Sequence, residues 1–285
     1  MTTQAQPTHL LDQLLSEIEA GRAAEAIWML SGMLDASLSK DNGGHSWRSS
    51  LLGHPLFQLL SNNLNKLSVA NAFRSPAHAA KSVNRITPDS FSNLGFVRAL
   101  EARRSLSQQT VTEAWRLGKQ IALVDCGEQG ELDALRARDL ANIIVAHHSA
   151  IARDGLRSRH GDTLAIYAAG CFQTGLHSQY DLILANNIAD GLQTDALLSA
   201  CKGFATQLKP GGRIVLSAFA PGHLGQGLQQ LCVNPDLVCH AEPALEAIAS
   251  AAGLTISHFR DSSNSLIWVE LRAAIANRPT KGAVT

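Results

Sequence analysis

The sequence predicts an α/β protein, with a helical region over residues 1–115 followed by an α/β domain over residues 116–273. Two observations support this division. Before Gln120 the apolar residues recur at helical spacing and no stretch has strand character, whereas after it short runs of branched apolar residues alternate with helix-length segments. The polar residues 274–285 are predicted to form a flexible tail.

The N-terminal region is predicted to contain four main helices. The first begins at Pro7-Thr8 and places leucines on one face as far as Ile18. A second spans the apolar positions from Ala26 to Leu34, and a third begins after His54-Pro55. The fourth is predicted from about Ser90. Together these helices are predicted to cap a pocket of the α/β domain and to contribute an apolar substrate site.

The α/β domain begins with five short apolar runs that are predicted to be parallel strands. Segments such as Glu131–Leu140 and Asp195–Leu208 are long enough for one helix each, which a parallel connection requires. The five predicted strands are Ile121–Val124, Ile143–Val145, Leu164–Tyr167, Leu182–Leu184 and Ile214–Leu216.

The last two apolar runs are predicted to form an antiparallel hairpin. They comprise Leu254–Phe259 and Leu266–Leu271, and they are separated only by Arg260–Ser265. Because that gap is too short for a crossover helix, the two strands must run in opposite directions. The complete prediction is a seven-stranded sheet that ends in this hairpin.

The composition argues against a nucleic-acid-binding protein, a membrane-spanning protein and a zinc protein. Lys+Arg and Asp+Glu both number 24, so the charge gives no case for a nucleic-acid partner. No apolar run approaches the roughly 18 residues that a membrane-spanning helix needs. Five scattered cysteines without a CxxC pair fit reduced thiols, which predicts a cytoplasmic protein without a zinc site. A homodimer or a protein partner remains possible on these data.

The first motif that bears on chemistry follows the first predicted strand. It reads Ile121-Ala-Leu-Val-Asp125-Cys126-Gly127-Glu-Gln-Gly130. A glycine-bearing turn between a strand and a helix lets a ligand approach the backbone, and helix N-terminal amides can face that ligand. The same residues also fit a plain strand-to-helix turn without a ligand. The motif alone does not favour either interpretation.

The second motif surrounds the fourth predicted strand, and it reads Tyr180-Asp181-Leu-Ile-Leu-Ala185-Asn186-Asn187-Ile188. Asp181 precedes the strand and is interpreted as structural. Asn186 and Asn187 follow it, at the edge of the sheet where open α/β sheets bind ligands.

The third motif is the most specific. Leu208-Lys-Pro210-Gly211-Gly212-Arg-Ile214-Val-Leu216 predicts a helix end, a tight turn and a buried strand. It closely resembles the turn before the fifth strand of class I S-adenosylmethionine-dependent methyltransferases. That resemblance implies a Rossmann-like seven-stranded methyltransferase sheet, and the first two motifs are similar to the cofactor loop and the fourth strand of the same family.

A narrower resemblance covers most of the chain. Ser217–Gly222, His54-Pro55-Leu56 and Asp261-Ser262-Ser263-Asn264 look like elements of bacterial methyltransferases associated with hydroxy-fatty-acid methyl ester signals. Asp190 matches an acidic position of that family. The resemblance implies an enzyme that methylates a small molecule, such as a carboxylate or a hydroxy fatty acid.

The family resemblance also implies where S-adenosylmethionine binds. The methionine end is expected near Asp125, Cys126 and Gly127, and the ribose near His147. The adenine is expected near Tyr167 and Ala168. The transferred methyl is expected to point toward Asn186, Asn187 and Asp190, so that Asn186 and Asp190 are the candidate catalytic residues and Asn186 also contacts the cofactor.

Two departures from the family pattern support an alternative. His147-His148 stands where the family usually has an acidic residue for the ribose hydroxyls, and an imidazole does not reproduce a bidentate carboxylate. Gln129 and Glu131 stand where further glycines are expected. The alternative is a catalytically inactive protein of the same fold, acting as a scaffold, regulatory subunit or ligand-binding module.

Overall fold

The seven strands form one mixed sheet in the order β3-β2-β1-β4-β5-β7-β6. The computed structural model describes residues 7–38, 50–68, 88–126, 130–133, 135, 139–169 and 179–273. The five neighbouring strands β3, β2, β1, β4 and β5 run parallel to one another. Strand β7 runs antiparallel to both of its neighbours, β5 and β6. The strands are β1 Ile121–Val124, β2 Ile143–His147, β3 Ala165–Ala168, β4 Tyr180–Leu184, β5 Leu208–Phe219, β6 Leu254–Arg260 and β7 Leu266–Ala273.

Helices cover both faces of this sheet, as strands with two buried faces require. Along β1, Ile121 and Leu123 pack on the face covered by the N-terminal helices, while Ala122 and Val124 pack on the opposite face. The helices are α1 Pro7–Glu19, α2 Ala23–Leu38, α3 Pro55–Ser68, α4 Gly95–Arg116, α5 Ala150–His160, α6 Thr194–Ala205, α7 Gln226–Cys232 and α8 Glu242–Ala251. None of the helices described here has the length and apolarity needed to cross a membrane.

The predicted fold class is confirmed. Each of the seven predicted strands is present, and the terminal pair forms the expected antiparallel hairpin. The first three predicted helices correspond to α1, α2 and α3. The predicted tail, residues 274–285, lies outside the described residues, and the division into two domains stays a prediction.

Two predicted helices need correction. The helix expected from Ser90 begins at Gly95, because Pro88–Phe91 forms a short 3₁₀ turn first. The helix expected over Glu131–Leu140 is not seen among the residues described in that stretch, where 131–133 form a turn. Gly130, with φ +98°, turns the chain there, and Glu131 is buried, so a regular amphipathic helix does not start at this point.

The Pro-Gly-Gly motif lies inside β5 as a bulge, and not before the strand as the sequence suggested. Tyr180 pairs with Leu208, but Leu182 already pairs with Arg213. The residues between Leu208 and Arg213 therefore loop out of the ladder, with Gly211 at φ +78°. Such bulges bend a strand and redirect its continuation, and here the continuation is the long pairing with β7.

The N-terminal helices are attached to the sheet domain through α2 and α7. Both carboxylate oxygens of Asp35 accept backbone hydrogen bonds, from Gly225 at 2.7 Å and Gly227 at 2.8 Å. The backbones approach closely, because a Cβ placed on Gly227 would lie 2.9 Å from Cβ of Leu34 and 3.0 Å from its carbonyl carbon. This contact joins the helical region to the start of α7, the helix that follows β5 in the chain.

We predict that Gly227→Ala destabilises the protein by about 1–3 kcal/mol, since the added methyl must displace backbone atoms of α2. The measurement is urea unfolding followed by circular dichroism. Gly32→Ala is the matched control, because Gly32 lies on α2, the helix that Gly227 of α7 packs against, and has open space at its Cβ position. A loss of stability in Gly32→Ala equal to that in Gly227→Ala would contradict this account of the α2–α7 contact.

Asp181 joins the beginnings of the strands at the opposite edge of the sheet. Its Oδ2 accepts from Nζ of Lys209 at 2.8 Å and from the backbone N–H of Gln120 at 2.9 Å. Burial alone would raise the pKa of the Asp181 carboxyl, but these hydrogen bonds and the charges of Lys209 and Lys119 hold that pKa below its usual value. These contacts accord with the structural interpretation of Asp181.

A carboxyl whose pKa falls on folding stabilises the protein above its unfolded pKa and loses that effect as the pH drops through the folded value. We therefore predict that Asp181→Asn costs about 1–2 kcal/mol near neutral pH, and that the difference from wild type shrinks below about pH 4. Urea unfolding across this pH range measures it. Asp162→Asn, which changes an exposed carboxylate after α5, serves as control. A difference that stays constant with pH would refute the assignment.

Candidate functional site

Asp125 lies directly after β1 and forms hydrogen bonds with residues at the end of the adjacent strand, β2. Its backbone is left-handed, with φ +50°, a conformation that Asp tolerates better than most side chains. Its Oδ1 accepts hydrogen bonds from both the backbone N–H and Nδ1 of His148, each at 2.7 Å. Its own backbone N–H donates to the carbonyl of Ala146 at 2.8 Å. The ends of β1 and β2 are thereby joined side by side.

The His147-His148 pair is fixed by groups of helix α5. Arg153 donates to the carbonyls of His147 and His148, at 2.6 and 2.8 Å. Nδ1 of His147 accepts the backbone N–H of Ser149 at 3.0 Å, and Ser149 caps α5. The His147 ring is buried, whereas the His148 side chain is 74% exposed. His148, and not His147, is therefore the imidazole that a ligand from solvent meets first.

Asn187 brings β4 into the same site. Its Nδ2 donates to the backbone carbonyl of Asp125 at 2.8 Å, and its Oδ1 accepts from Arg103 at 3.2 Å. One side chain thus connects the loop after β1, the loop after β4 and helix α4. The predicted residues Asp125, His147 and Asn187 do converge at one edge of the sheet, because the carboxyl ends of parallel strands meet there.

The other predicted cofactor residues differ in accessibility. Tyr167 and Ala168 lie on the edge strand β3, opposite Ala146 and His147, and both are exposed. The thiol of Cys126 instead points into the core and donates to the carbonyl of Leu184 at 3.2 Å. Burial, with a further contribution from Glu131, raises the pKa of this thiol well above its usual value. Gly127 and Gln129 lie outside the described residues.

Asn186 is fully buried beneath helix α4. Its Nδ2 donates to Oγ of Ser107, and its backbone carbonyl accepts from Ser217 at 3.2 Å. Its Oδ1 has no hydrogen-bond partner within the described part of the chain. An unsatisfied buried acceptor is uncommon, and it marks a place where a donor from a ligand or an ordered water would be favourable.

Arg103 and Asp190 form a buried ion pair that sequence reasoning missed. The guanidinium donates through both terminal nitrogens to the Asp190 carboxylate, at 2.5 and 3.0 Å. Its carbon lies 4.7 Å from the centre of the Phe219 ring, at the end of β5. Burial raises the pKa of the Asp190 carboxyl, while the adjacent guanidinium acts against that rise. The pair links helix α4 to the loop after β4.

A signal for Arg103 existed in the sequence. Buried residues of α4 recur at about every fourth position, and the series runs Ala99, Arg103, Ser107, Val111 and Ala114. An arginine at such a position must have a buried anionic partner. The partner itself could not be found from spacing, because Asp190 lies 87 residues further along the chain.

Glu131, one of the two residues that stand where the family pattern has further glycines, lies among the described residues. Glu131 is buried, with 1% of its surface exposed, and it lies near enough to Cys126 to affect its thiol. Its side chain therefore lies in the protein interior. The position of Gln129 lies outside the described residues.

The chain has the class I methyltransferase fold. Its strand order and its single antiparallel strand match that sheet. A possible exported protein from Bordetella parapertussis is similar at 18% identity, with a TM-score of 0.53 over 90% of this chain and 98% of that one. This likeness shows a shared fold.

Two methyltransferase structures are similar at lower scores. Magnesium protoporphyrin IX methyltransferase from Synechocystis, with bound S-adenosylhomocysteine, has 13% identity and a TM-score of 0.48, over 74% of this chain and 98% of that one. A methyltransferase from Streptomyces caelestis has 18% identity and a TM-score of 0.45, over 60% and 89%. No known family model and no curated protein matches the sequence.

We predict that Asp190→Asn destabilises the protein by about 3–5 kcal/mol, because the Arg103 guanidinium then stays buried without its counter-charge. Urea unfolding measures the loss. Asp154→Asn is the control: Asp154 forms an exposed pair with Arg157, and its loss is expected to cost about 0–1 kcal/mol.

The double variant Arg103→Met with Asp190→Asn removes the buried charge as well, so it is expected to be more stable than Asp190→Asn alone. If the two changes instead add to a larger loss, the ion pair is not what couples α4 to the loop after β4.

Proposed function

We propose that this protein is an S-adenosylmethionine-dependent methyltransferase that acts on a small-molecule acceptor. The observation that carries the proposal is the hydrogen bond from Asn187 to the carbonyl of Asp125. It holds the loops after β1 and β4 together at the edge where an open α/β sheet binds its ligand. The fold is consistent with this function, and the side chains at this edge are the proposed contacts of the cofactor.

The exposed groups at this edge suit an adenosyl cofactor. Tyr167 and Ala168 present a partly apolar surface on β3 for the adenine. His148 and Asp125 offer a nitrogen and a carboxylate oxygen to the ribose hydroxyls, in place of the usual acidic residue. The methionine end would bind near Asp125, Cys126 and Gly127. Asn186, whose side chain is fully buried beneath α4, is not among these exposed groups.

The cofactor would supply an electrophilic methyl group, and the protein then needs chiefly to align the acceptor and exclude water. Asn186 and Asp190, the two candidate catalytic residues, fit such an aligning role. Both oxygens of the Asp190 carboxylate accept hydrogen bonds from Arg103, so this side chain orients the loop after β4. A carboxylate acceptor needs no general base, because it is ionised at neutral pH.

We further propose that the acceptor is a carboxylate or a hydroxy fatty acid. The support is the resemblance at His54-Pro55-Leu56 and Asp261–Asn264 together with their positions. His54 bonds Asp12 and directly precedes α3, one of the helices that would form the acceptor side. Asp261 accepts the backbone N–H groups of Ser265 and Leu266, and Ser263 bonds the carbonyl of Gly95 at the start of α4. These local contacts support the proposal that both elements form part of the acceptor side.

Calorimetric titration with S-adenosylmethionine and S-adenosylhomocysteine tests the proposal. We expect one site per chain and a rise in melting temperature by mass action, equivalent to about 2.7 kcal/mol at a hundredfold excess over Kd. Asp125→Asn is expected to weaken binding at least about tenfold, since it removes the charge beside the ribose position. His258→Ala, remote on β6, is the control and should bind like wild type.

An absence of binding at millimolar ligand would overturn the enzyme proposal and favour the inactive alternative, in which the fold serves as a scaffold or binds another ligand. Equal weakening in Asp125→Asn and His258→Ala would show that the cofactor binds elsewhere. The acceptor proposal needs a separate assay, in which methyl transfer from the cofactor to a 3-hydroxy fatty acid is followed by mass spectrometry.

A further inference from the structure

Asp125, His147 and His148 bring three potential metal ligands together. One ligand atom from each lies within 4.8 Å of the others. Oδ1 of Asp125 is 2.7 Å from Nδ1 of His148 and 3.6 Å from Nδ1 of His147. Two imidazoles and one carboxylate are a donor set that suits zinc. The three residues come from the ends of two adjacent strands, so their proximity is set by the sheet.

We propose that this cluster binds a Zn²⁺ ion, and that the ion competes with the cofactor for the same edge of the sheet. A tetrahedral zinc site with bonds of about 2.0–2.1 Å separates its ligand atoms by about 3.3–3.4 Å. The distance from Asp125 to His147 is already near that value. The distance from Asp125 to His148 must widen, which the exposed ring of His148 can accommodate.

The site offers three protein ligands and leaves the fourth position open, so we expect it to bind zinc more weakly than a closed structural site does. The ion competes with the backbone N–H of Ser149 for the lone pair of Nδ1 of His147. It also displaces the hydrogen bond between Asp125 and His148. Arg153, which binds the carbonyls of both histidines, holds the pair in place but adds positive charge nearby. Micromolar affinity is therefore expected, with a water in the fourth position.

Zinc and the cofactor are expected to compete because they would use the same atoms of Asp125 and His148. This part of the inference rests on the proposed function. Asp125 and His148 are the groups that we place against the ribose hydroxyls. When both coordinate zinc, they can no longer bond those hydroxyls, and the ion lies where the ribose would be. Zinc would then act as a reversible inhibitor that raises the apparent Kd of the cofactor in proportion to its concentration.

The first experiment titrates the tag-free full chain with ZnCl₂ near pH 7.5 and measures binding by calorimetry. Wild type is expected to bind one ion per chain. His148→Ala and Asp125→Asn are each expected to weaken binding at least about tenfold. His258→Ala is the matched control, because His258 also lies near a carboxylate, 3.9 Å from Glu242, and no third ligand joins them among the described residues. It should bind zinc like wild type.

Absence of stoichiometric binding by wild type, or equal affinity in His148→Ala and wild type, would overturn the site. The second experiment titrates S-adenosylhomocysteine with and without saturating zinc, and we expect at least a tenfold weaker apparent affinity with zinc. Unchanged affinity would overturn the competition. Failure of S-adenosylhomocysteine to bind in the absence of zinc would instead refute the proposed function, while the zinc titration alone still decides the metal site.

Discussion

The buried guanidinium of Arg103 is the constraint on which the rest of the site depends. A charge with 2% of its side chain exposed must be paired, and the Asp190 carboxylate pairs it through two hydrogen bonds. That requirement fixes the distance and angle between helix α4 and the loop after β4. Asn187, bonded to the same guanidinium, carries the constraint on to the loop after β1. The helical region and the sheet therefore meet in one defined arrangement.

The consequence is an edge of the sheet with two distinct halves. Around β4 and β5 the polar side chains are buried: Asn186 bonds Ser107, and Arg103 lies over the Phe219 ring. Around β1, β2 and β3 the groups are accessible, with His148, Tyr167 and Ala168 exposed. The accessible half suits recognition of a large polar ligand. The buried half suits a rigid wall that orients a reacting group and keeps water away.

Much of the fold could be predicted from the sequence because its signals are local. The strands β1 and β7 begin at the predicted residues, since each is a short branched apolar run bounded by turn residues. The hairpin followed from the shortness of Arg260–Ser265. The helix expected after Gly130 was wrong, because apolar spacing alone cannot reveal a left-handed glycine followed by a buried glutamate. The bulge at Pro210-Gly211 depends on pairing with β4, which no local pattern encodes.

The site was predictable in position but not in atomic detail. Residues that follow parallel strands share an edge, so Asp125, His147 and Asn187 were expected together. Whether a given atom is accessible depends on distant partners. The Cys126 thiol faces the carbonyl of Leu184, and Asp190 is engaged by a residue 87 positions away. His148 is the accessible imidazole of its pair because the ring of His147 is turned toward the start of α5.

A crystal structure of the protein grown with S-adenosylhomocysteine tests the central claim most directly. The account predicts electron density for the adenosyl group at the ends of β1, β2 and β3, with a ribose hydroxyl within hydrogen-bond distance of Asp125 or His148. Density for the ligand among the N-terminal helices, or at the opposite edge beside Asp181, would contradict it.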